Sequence, residues 1–392
     1  MTLAILTFHR AFNCGAMLQA WALKSVLNEL GHFVVFPSCN TIGECAKGRT
    51  FPSFKGLHWW HGVARLIRWL LKWPSFFWNE GLYRRLKWSR FTTFRSRWLD
   101  EECNSPASFC ERYDAVIIGS DQVWNPDIVG KMQTLFLGEW ASPGFPLIGY
   151  AVSVGDESEK ILKDSRFVLA VSRFSALSFR ENIEKISSLL IPSPYTCVCD
   201  PTLLLSRDYY RKCECPRRLH RRPYLLIYTL WFATEMWPMA SRIAQRLGLD
   251  LVLIDPARES RHERKALPNI WAVSPDRFLA YVRDATCIMA ASFHGAVFSL
   301  IYNKPFVCYQ TRAEMLSSRV GQLLMRIGEH NRIFNQESSV AEVEACLLKP
   351  LEKQTFQNIA AFKKESLFFL REALQKVEGF QINRSSSKES KK

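Results

Sequence analysis

The chain has 392 residues, 48% of them hydrophobic and 23% charged, with a formal net charge of +15. That balance excludes an intrinsically disordered chain, and the length favours two domains, because one hydrophobic core stops growing beyond roughly 250–300 residues. No run reaches the roughly 18 apolar residues that a membrane span needs, since Arg and Lys interrupt every candidate, and residues 1–15 lack a basic start followed by a long apolar stretch. The expected location is cytoplasmic. Twelve cysteines spread over a chain of this size are expected to be reduced thiols. Cys197/Cys199 and Cys213/Cys215 are spaced Cys-x-Cys, which sends alternate strand residues to opposite faces and does not suit zinc, so no metal is expected.

In chain order, residues 3–8 read as a buried strand and 16–30 as a helix with Leu18, Trp21, Ala22, Val26 and Leu30 on one stripe. Gly31 ends that helix, and 32–36 form a second strand. Residues 59–98 follow, with nine Arg or Lys, seven Trp and only Glu80 as an acid. Residues 64–73 would be an amphipathic helix. Trp beside Arg and Lys fits contact with an anionic membrane surface; the alternative is a helical flap packed on the first domain. No nucleic-acid motif accompanies the charge, and no nucleic-acid partner is expected.

Short apolar runs at 115–118, 147–152, 176–179 and 196–198 read as parallel strands, with helices near 158–171 and 182–190. The segment 211–223, dense in Arg, Cys and Pro, reads as an interdomain linker. The pattern then restarts: strands at 224–230, 251–254, 286–289 and 306–309, and helices at 235–247, 275–283 and near 295–302. Residues 351–377 should form one or two terminal helices crossing back to the first domain. The expected organisation is an α/β fold with two Rossmann-like doubly wound domains, 1–210 and 223–350. A basic insertion covers about 55–100, C-terminal helices 351–382 and a disordered tail 383–392.

Doubly wound sheets bind ligands beyond the carboxyl ends of their strands, so the post-strand loops are the places to look for chemistry. His9 to Gly15 leads straight into a helix, where Asn13 either caps it or, with Gly15 and the helix N-terminus, holds an anion. Asp121, Gln122, Trp124 and Asn125 form a dense polar loop whose other reading is turn chemistry with Trp124 in the core. Arg180 can present a bidentate fork to phosphate or carboxylate, or pair with Glu181. His294, beside Gly295 at a strand-to-helix junction, can move protons near neutral pH. No G-x-G-x-x-G is present, so a dinucleotide fingerprint is absent.

Several of these motifs, in order, resemble the polysaccharide pyruvyl transferase family. They are Thr7-Phe8-His9, Asn13-Cys14-Gly15-Ala16, Gly119-Ser120-Asp121-Gln122-Val123-Trp124-Asn125, Ser178-Phe179-Arg180-Glu181, Asp200-Pro201-Thr202-Leu203-Leu204, Ser292-Phe293-His294-Gly295 and Ser318-Arg319. The resemblance runs from about residue 3 to 332. It implies a GT-B-like fold, with two domains facing across a cleft and transferring a pyruvyl group from phosphoenolpyruvate to two hydroxyls of a glycan, without a further cofactor.

On that resemblance His294, Arg180 and Asp121 are the catalytic candidates, with His294 as acid and Asp121 or Glu181 as the hydroxyl's base. Arg319, Ser292, Gly295, Asn13 and Gly15 would bind the donor; Gln122, Trp124, Asn125, Glu181 and His9 would bind the acceptor, free or lipid-linked. Ser292 departs from the family pattern by standing where an Arg is usual. Arg319 or Arg180 then supplies the charge, or the donor differs. The other readings are a GT-B glycosyltransferase using a nucleotide sugar and a non-catalytic glycan- or membrane-binding homologue.

Overall fold

The computed structural model describes residues 1–37, 82–155, 165–183, 196–230, 232–256, 270–311 and 318–389. The helices expected at 64–73 and 182–190 lie wholly or mostly outside the described residues, as does the first part of the one expected at 158–171. Its remainder is helical over Ser165–Val171.

The first domain is a parallel sheet in the order β3-β2-β1-β4-β5-β6-β7. Its strands are β1 (Thr2–Leu6), β2 (Phe33–Pro37), β3 (Glu101–Glu102), β4 (Ala115–Asp121), β5 (Leu147–Val152), β6 (Ala176–Phe179) and β7 (Thr196–Cys197). Leu3–Leu6 pair in register with Ala115–Ile118. These runs are apolar without alternation because helices cover both faces of the sheet. β4 continues three residues beyond the expected Ile118, so Gly119, Ser120 and Asp121 belong to the strand's end rather than to a loop.

The second domain has the parallel order β12-β11-β10-β8-β9. Its strands are β8 (Tyr224–Tyr228), β9 (Asp250–Ile254), β10 (Cys287–Ala290), β11 (Phe306–Tyr309) and β12 (Ile333–Phe334). Strand order reverses between β1 and β4 in one sheet and between β8 and β10 in the other. At such points the flanking loops diverge and leave a crevice. Residues following these strands line one cleft from both sides, which is the GT-B-like arrangement.

Helix α1 (Cys14–Glu29) is buried from Cys14 to Leu27, so the expected single apolar stripe is a correction: this helix is covered all round. It packs against the sheet, the turn Pro201–Leu204 and a helix of the second domain. Its Lys24 survives burial by reaching the carbonyl of Trp98 and the carboxylate of Asp100. Helix α2 (Leu82–Trp98) is the described part of the basic aromatic segment. It buries Tyr83, Phe91 and Phe94, sets Phe91 edge-to-face with Phe12 and packs Tyr83 at a tilt against Trp271, while Trp88 stays 58% exposed. Its Arg90 donates to the carbonyl of Ala272, so α2 touches both domains.

Helices α3 (Ala233–Leu247), α4 (Pro275–Asp284), α5 (Phe293–Ile301), α6 (Arg319–Ile327) and α7 (Val340–Leu348) cover the second sheet. A single helix α8 (Lys353–Glu389) then returns to the first domain, where the Cys199 amide donates to Ser366 Oγ. The tail expected to be disordered from Asn383 instead continues this helix to Glu389. Buried Arg332 anchors the start of α8 by donating to the carbonyls of Lys349 and Pro350 while pairing with Glu329. Among the described residues, no helix is long and apolar enough to cross a membrane.

Candidate active site

The cleft between the domains measures about 550 Å³. Helices α1, α5 and α6 all begin at its wall, with the N-cap residues Asn13, Ser292 and Ser318 among its lining. Each cap side chain accepts one backbone N–H, from Ala16, Gly295 and Gly321 respectively. A cap satisfies only one of the four N–H groups that a helix start leaves without an internal partner. The cleft therefore collects three positive helix ends, together with Arg319 and His294. Ser292, sitting where the family pattern has Arg, is thus a cap as well as a lining residue. Gly295, one turn along, is packed tightly: a Cβ there would meet Ala290, Tyr228 and Ser292.

His294 bridges the domains. Its ring packs against Gly15, where any Cβ would overlap Nδ1. Its Nε2 faces Asp200 Oδ2 of the first domain at 3.6 Å. Asp200 is 1% exposed. Thr202 donates to its Oδ1 from both N–H (3.0 Å) and hydroxyl (2.6 Å). Ser120 hydroxyl and Arg180 Nη1 donate to Oδ2 at 3.0 and 2.9 Å. Burial alone would push this carboxyl up, but His294, Arg180 and Thr202 outweigh it and hold the group well below the usual carboxylate range.

Arg180 does not reach the cleft. Its side chain is 1% exposed, lies 4.5 Å from the centre of the Phe293 ring, and sits among Asp200, Asp121 (3.5 Å) and Glu181 (3.9 Å). It is a buried counter-ion, a correction to the reading that gave it direct donor contact. Asp121 does line the cleft, with φ of 78° and Oδ1 accepting the Gln122 N–H at 2.9 Å. Gln122 lines it too.

Four expected acceptor residues do not line the cleft. Trp124 is 2% exposed, ringed by Phe167, Phe174 and Phe179, and donates from Nε1 to the Phe136 carbonyl. Its aromatic bulk fills the core under the sheet. Asn125 caps the short helix Pro126–Val129 by accepting from the Asp127 N–H, and its Nδ2 donates to Gln122. Glu181 turns inward: its Oε1 accepts from the Ser153 hydroxyl and the amides of Val154 and Gly155. Burial pushes its carboxyl up despite Arg180 and Arg319, so it is a structural acid rather than the acceptor's base. His9 is fully buried, with Nδ1 3.1 Å from the Thr7 carbonyl and its ring 5.0 Å from that of Phe36. Burial lowers its pKa to about 3, and Glu101, 3.5 Å from Nε2, is held by Arg95 at 2.9 Å.

Asp200 and Thr202 are the residues that sequence reasoning did not place in the site, and Ser120, in the polar stretch that ends β4, carried no assigned role there. Asp before Pro reads as an ordinary cap, and Asp200 does cap Pro201–Leu204 through Oδ1. Nothing local says that its other oxygen meets a histidine 94 positions further along.

A family model described as polysaccharide pyruvyl transferase matches residues 13–311. No curated protein matches the chain in sequence. Among solved structures, AviGT4, a glycosyltransferase involved in avilamycin A biosynthesis, aligns at 12% identity with a TM-score of 0.48, covering 97% of this chain and 98% of that one. The UDP-GlcNAc 2-epimerase from Methanocaldococcus jannaschii aligns at 10% identity and 0.46, covering 90% and 93%. The E. coli heptosyltransferase WaaC with ADP aligns at 11% and 0.39, covering 82% and 90%. The family match spans well over half of the chain and includes Asn13, Asp121 and His294, which line one interdomain cleft, and Gly15 and Asp200, which pack against His294 behind it; the chain belongs to the polysaccharide pyruvyl transferase family.

Proposed function

We propose that the cleft binds phosphoenolpyruvate and a glycan bearing two neighbouring hydroxyls, and joins them as a cyclic pyruvate ketal. The observation that carries this reading is the meeting of three helix N-termini with Arg319 and His294 in one cleft. A small ligand with a phosphate and a carboxylate matches amide dipoles plus one guanidinium, and needs no metal to be held.

In this reading the amides at the starts of α1, α5 and α6 and the Arg319 fork hold the two anionic ends. His294 passes a proton to the methylene carbon, which becomes a methyl group, and the central carbon becomes electrophilic. One sugar hydroxyl attacks that carbon and loses its proton to the base, with Asp121 as the lining carboxylate suited to the task. The second hydroxyl then replaces the phosphate, which departs with the remaining proton. Two C–O bonds to the sugar form, one C–O bond to phosphate breaks, and nothing is oxidised or reduced. Arg180, from behind, pairs with both Asp121 and Asp200.

The acceptor is proposed to be carried on lipid at the cytoplasmic membrane face, with segment 59–98 touching anionic headgroups. Exposed Arg85 and Trp88 on α2 support that orientation. The test is phosphate release from phosphoenolpyruvate by purified protein against a panel of free and lipid-linked glycans. Turnover that His294→Ala abolishes in a folded protein is expected. No consumption across the panel, or turnover of nucleotide sugars instead, would overturn the proposal.

A further inference from the structure

We infer that Asp200 is the positioning residue for His294: it holds the imidazole with a proton on Nε2, and so leaves Nδ1 as the nitrogen that takes up a second proton and passes it to the methylene carbon. The inference rests on the reading that His294 moves the proton, and goes beyond it by naming which nitrogen does so and what selects it.

The argument begins with how little freedom Asp200 has. Four donors bind it: the Thr202 amide and hydroxyl on Oδ1, and the Ser120 hydroxyl and Arg180 Nη1 on Oδ2. Those donors come from β4, the end of β6 and the turn after β7, so three separate elements fix the plane of the carboxylate. It can neither rotate nor withdraw to accommodate a histidine. The ring must adapt to it.

Nε2 of His294 is buried, makes no hydrogen bond to another described residue, and faces Oδ2 at 3.6 Å. A neutral imidazole carries one N–H and one lone pair. Were the lone pair on Nε2, it would point at a carboxylate oxygen already rich in electron density, and a buried nitrogen would have no donor to accept from. With the proton on Nε2, the same contact becomes attractive. The separation is longer than a formed hydrogen bond, as is common for catalytic pairs before substrate tightens them. A carboxylate that fixes a histidine's tautomer through its far nitrogen is a general device of acid–base sites.

The other nitrogen is shaped by Gly15. Without a Cβ there, the first turn of α1 leaves room for Nδ1, and Asn13 and Ala16 of the same turn line the cleft beside His294, where the proposed anion would sit. Asp200 and Gly15 both belong to the first domain, whereas His294 belongs to the second. The tautomer is therefore selected only when the two domains are seated against each other.

The test is a long-range proton–nitrogen correlation spectrum of protein labelled with nitrogen-15 in histidine, recorded near pH 8, with the His294 signals assigned by their loss in His294→Gln. The wild type is expected to show the Nε2–H tautomer at His294. Asp200→Asn, nearly isosteric, removes the negative charge opposite Nε2 and is expected to weaken the preference for Nε2–H and shift His294 toward Nδ1–H. It should lower kcat by about a thousandfold while KM for phosphoenolpyruvate changes by less than about threefold, a split of the kind produced by a wrong tautomer. An Nδ1–H tautomer in the wild type overturns the inference even if the variant fails to fold, as does wild-type kcat in a folded Asp200→Asn. The Nε2–H tautomer in a protein that never consumes phosphoenolpyruvate would sink the proposed reaction and leave the positioning role intact.

Discussion

Gly15 and His294, from different domains, occupy one another's space: the imidazole lies where a side chain at position 15 would have to be. Gly15→Ala should therefore displace the ring. It should not damage α1, because Ala is the better helix former. A misplacement of about 1 Å at a reacting group costs about a hundredfold, so a loss of that order in kcat is expected, with Tm within a few degrees of wild type. Steady-state kinetics beside thermal unfolding checks both halves; unaltered kcat would mean that the ring's seat on Gly15 does not matter for turnover.

Arg319 lines the cleft at the first position of α6, where its guanidinium adds to the helix's positive end. Arg319→Ala should raise KM for phosphoenolpyruvate at least tenfold, and Arg319→Lys should restore part of the binding because the charge returns without the planar fork. Titration with phosphoenolpyruvate, monitored by calorimetry, gives the binding term without needing the acceptor.

Trp124 separates packing from recognition. It fills the core among three phenylalanines, so Trp124→Ala should destabilise the fold by about 3–5 kcal/mol. Trp124→Phe should retain stability to within a smaller deficit and keep the KM for acceptor. A selective rise in that KM in a stable Trp124→Phe protein would contradict the buried placement.

His9 makes stability depend on pH. Its pKa is lowered to about 3 in the fold, against about 6.5 when unfolded, so between those values the unfolded chain binds the extra proton. Stability then falls as pH falls from about 6.5, and a single such group contributes about 2 kcal/mol of loss by pH 5. His9→Gln, which keeps a donor for the Thr7 carbonyl, should flatten this part of the curve. Chemical denaturation of both proteins at pH 7, 6 and 5 measures it.

The two-domain α/β architecture was legible because its signals are local. Buried parallel strands such as 115–118 and 224–228 are continuous apolar runs, and each meets turn residues where the chain must leave the sheet. The same logic located the stretches that line the cleft, since ligands collect beyond strand ends. Within those stretches the reading was less sharp. His9, Trp124, Asn125 and Glu181 stand beside lining residues in sequence yet point into the core or into caps. At a strand end neighbouring residues alternate sides, and a polar side chain satisfied by its own backbone looks the same in sequence as one offered to a ligand.

By itself, then, the order of residues determined where strands stop and helices start, and hence that Asn13, Asp121, Ser292 and His294 lie at sheet edges. Only the tertiary structure decided that Asp200 meets His294 across the domains, that Gly15 seats its ring, and that Arg180 stands behind the cleft instead of in it. Periodicity and capping are properties of a few consecutive residues. Which side chains converge depends on how two separately built sheets are turned toward each other, and no short window of sequence contains that.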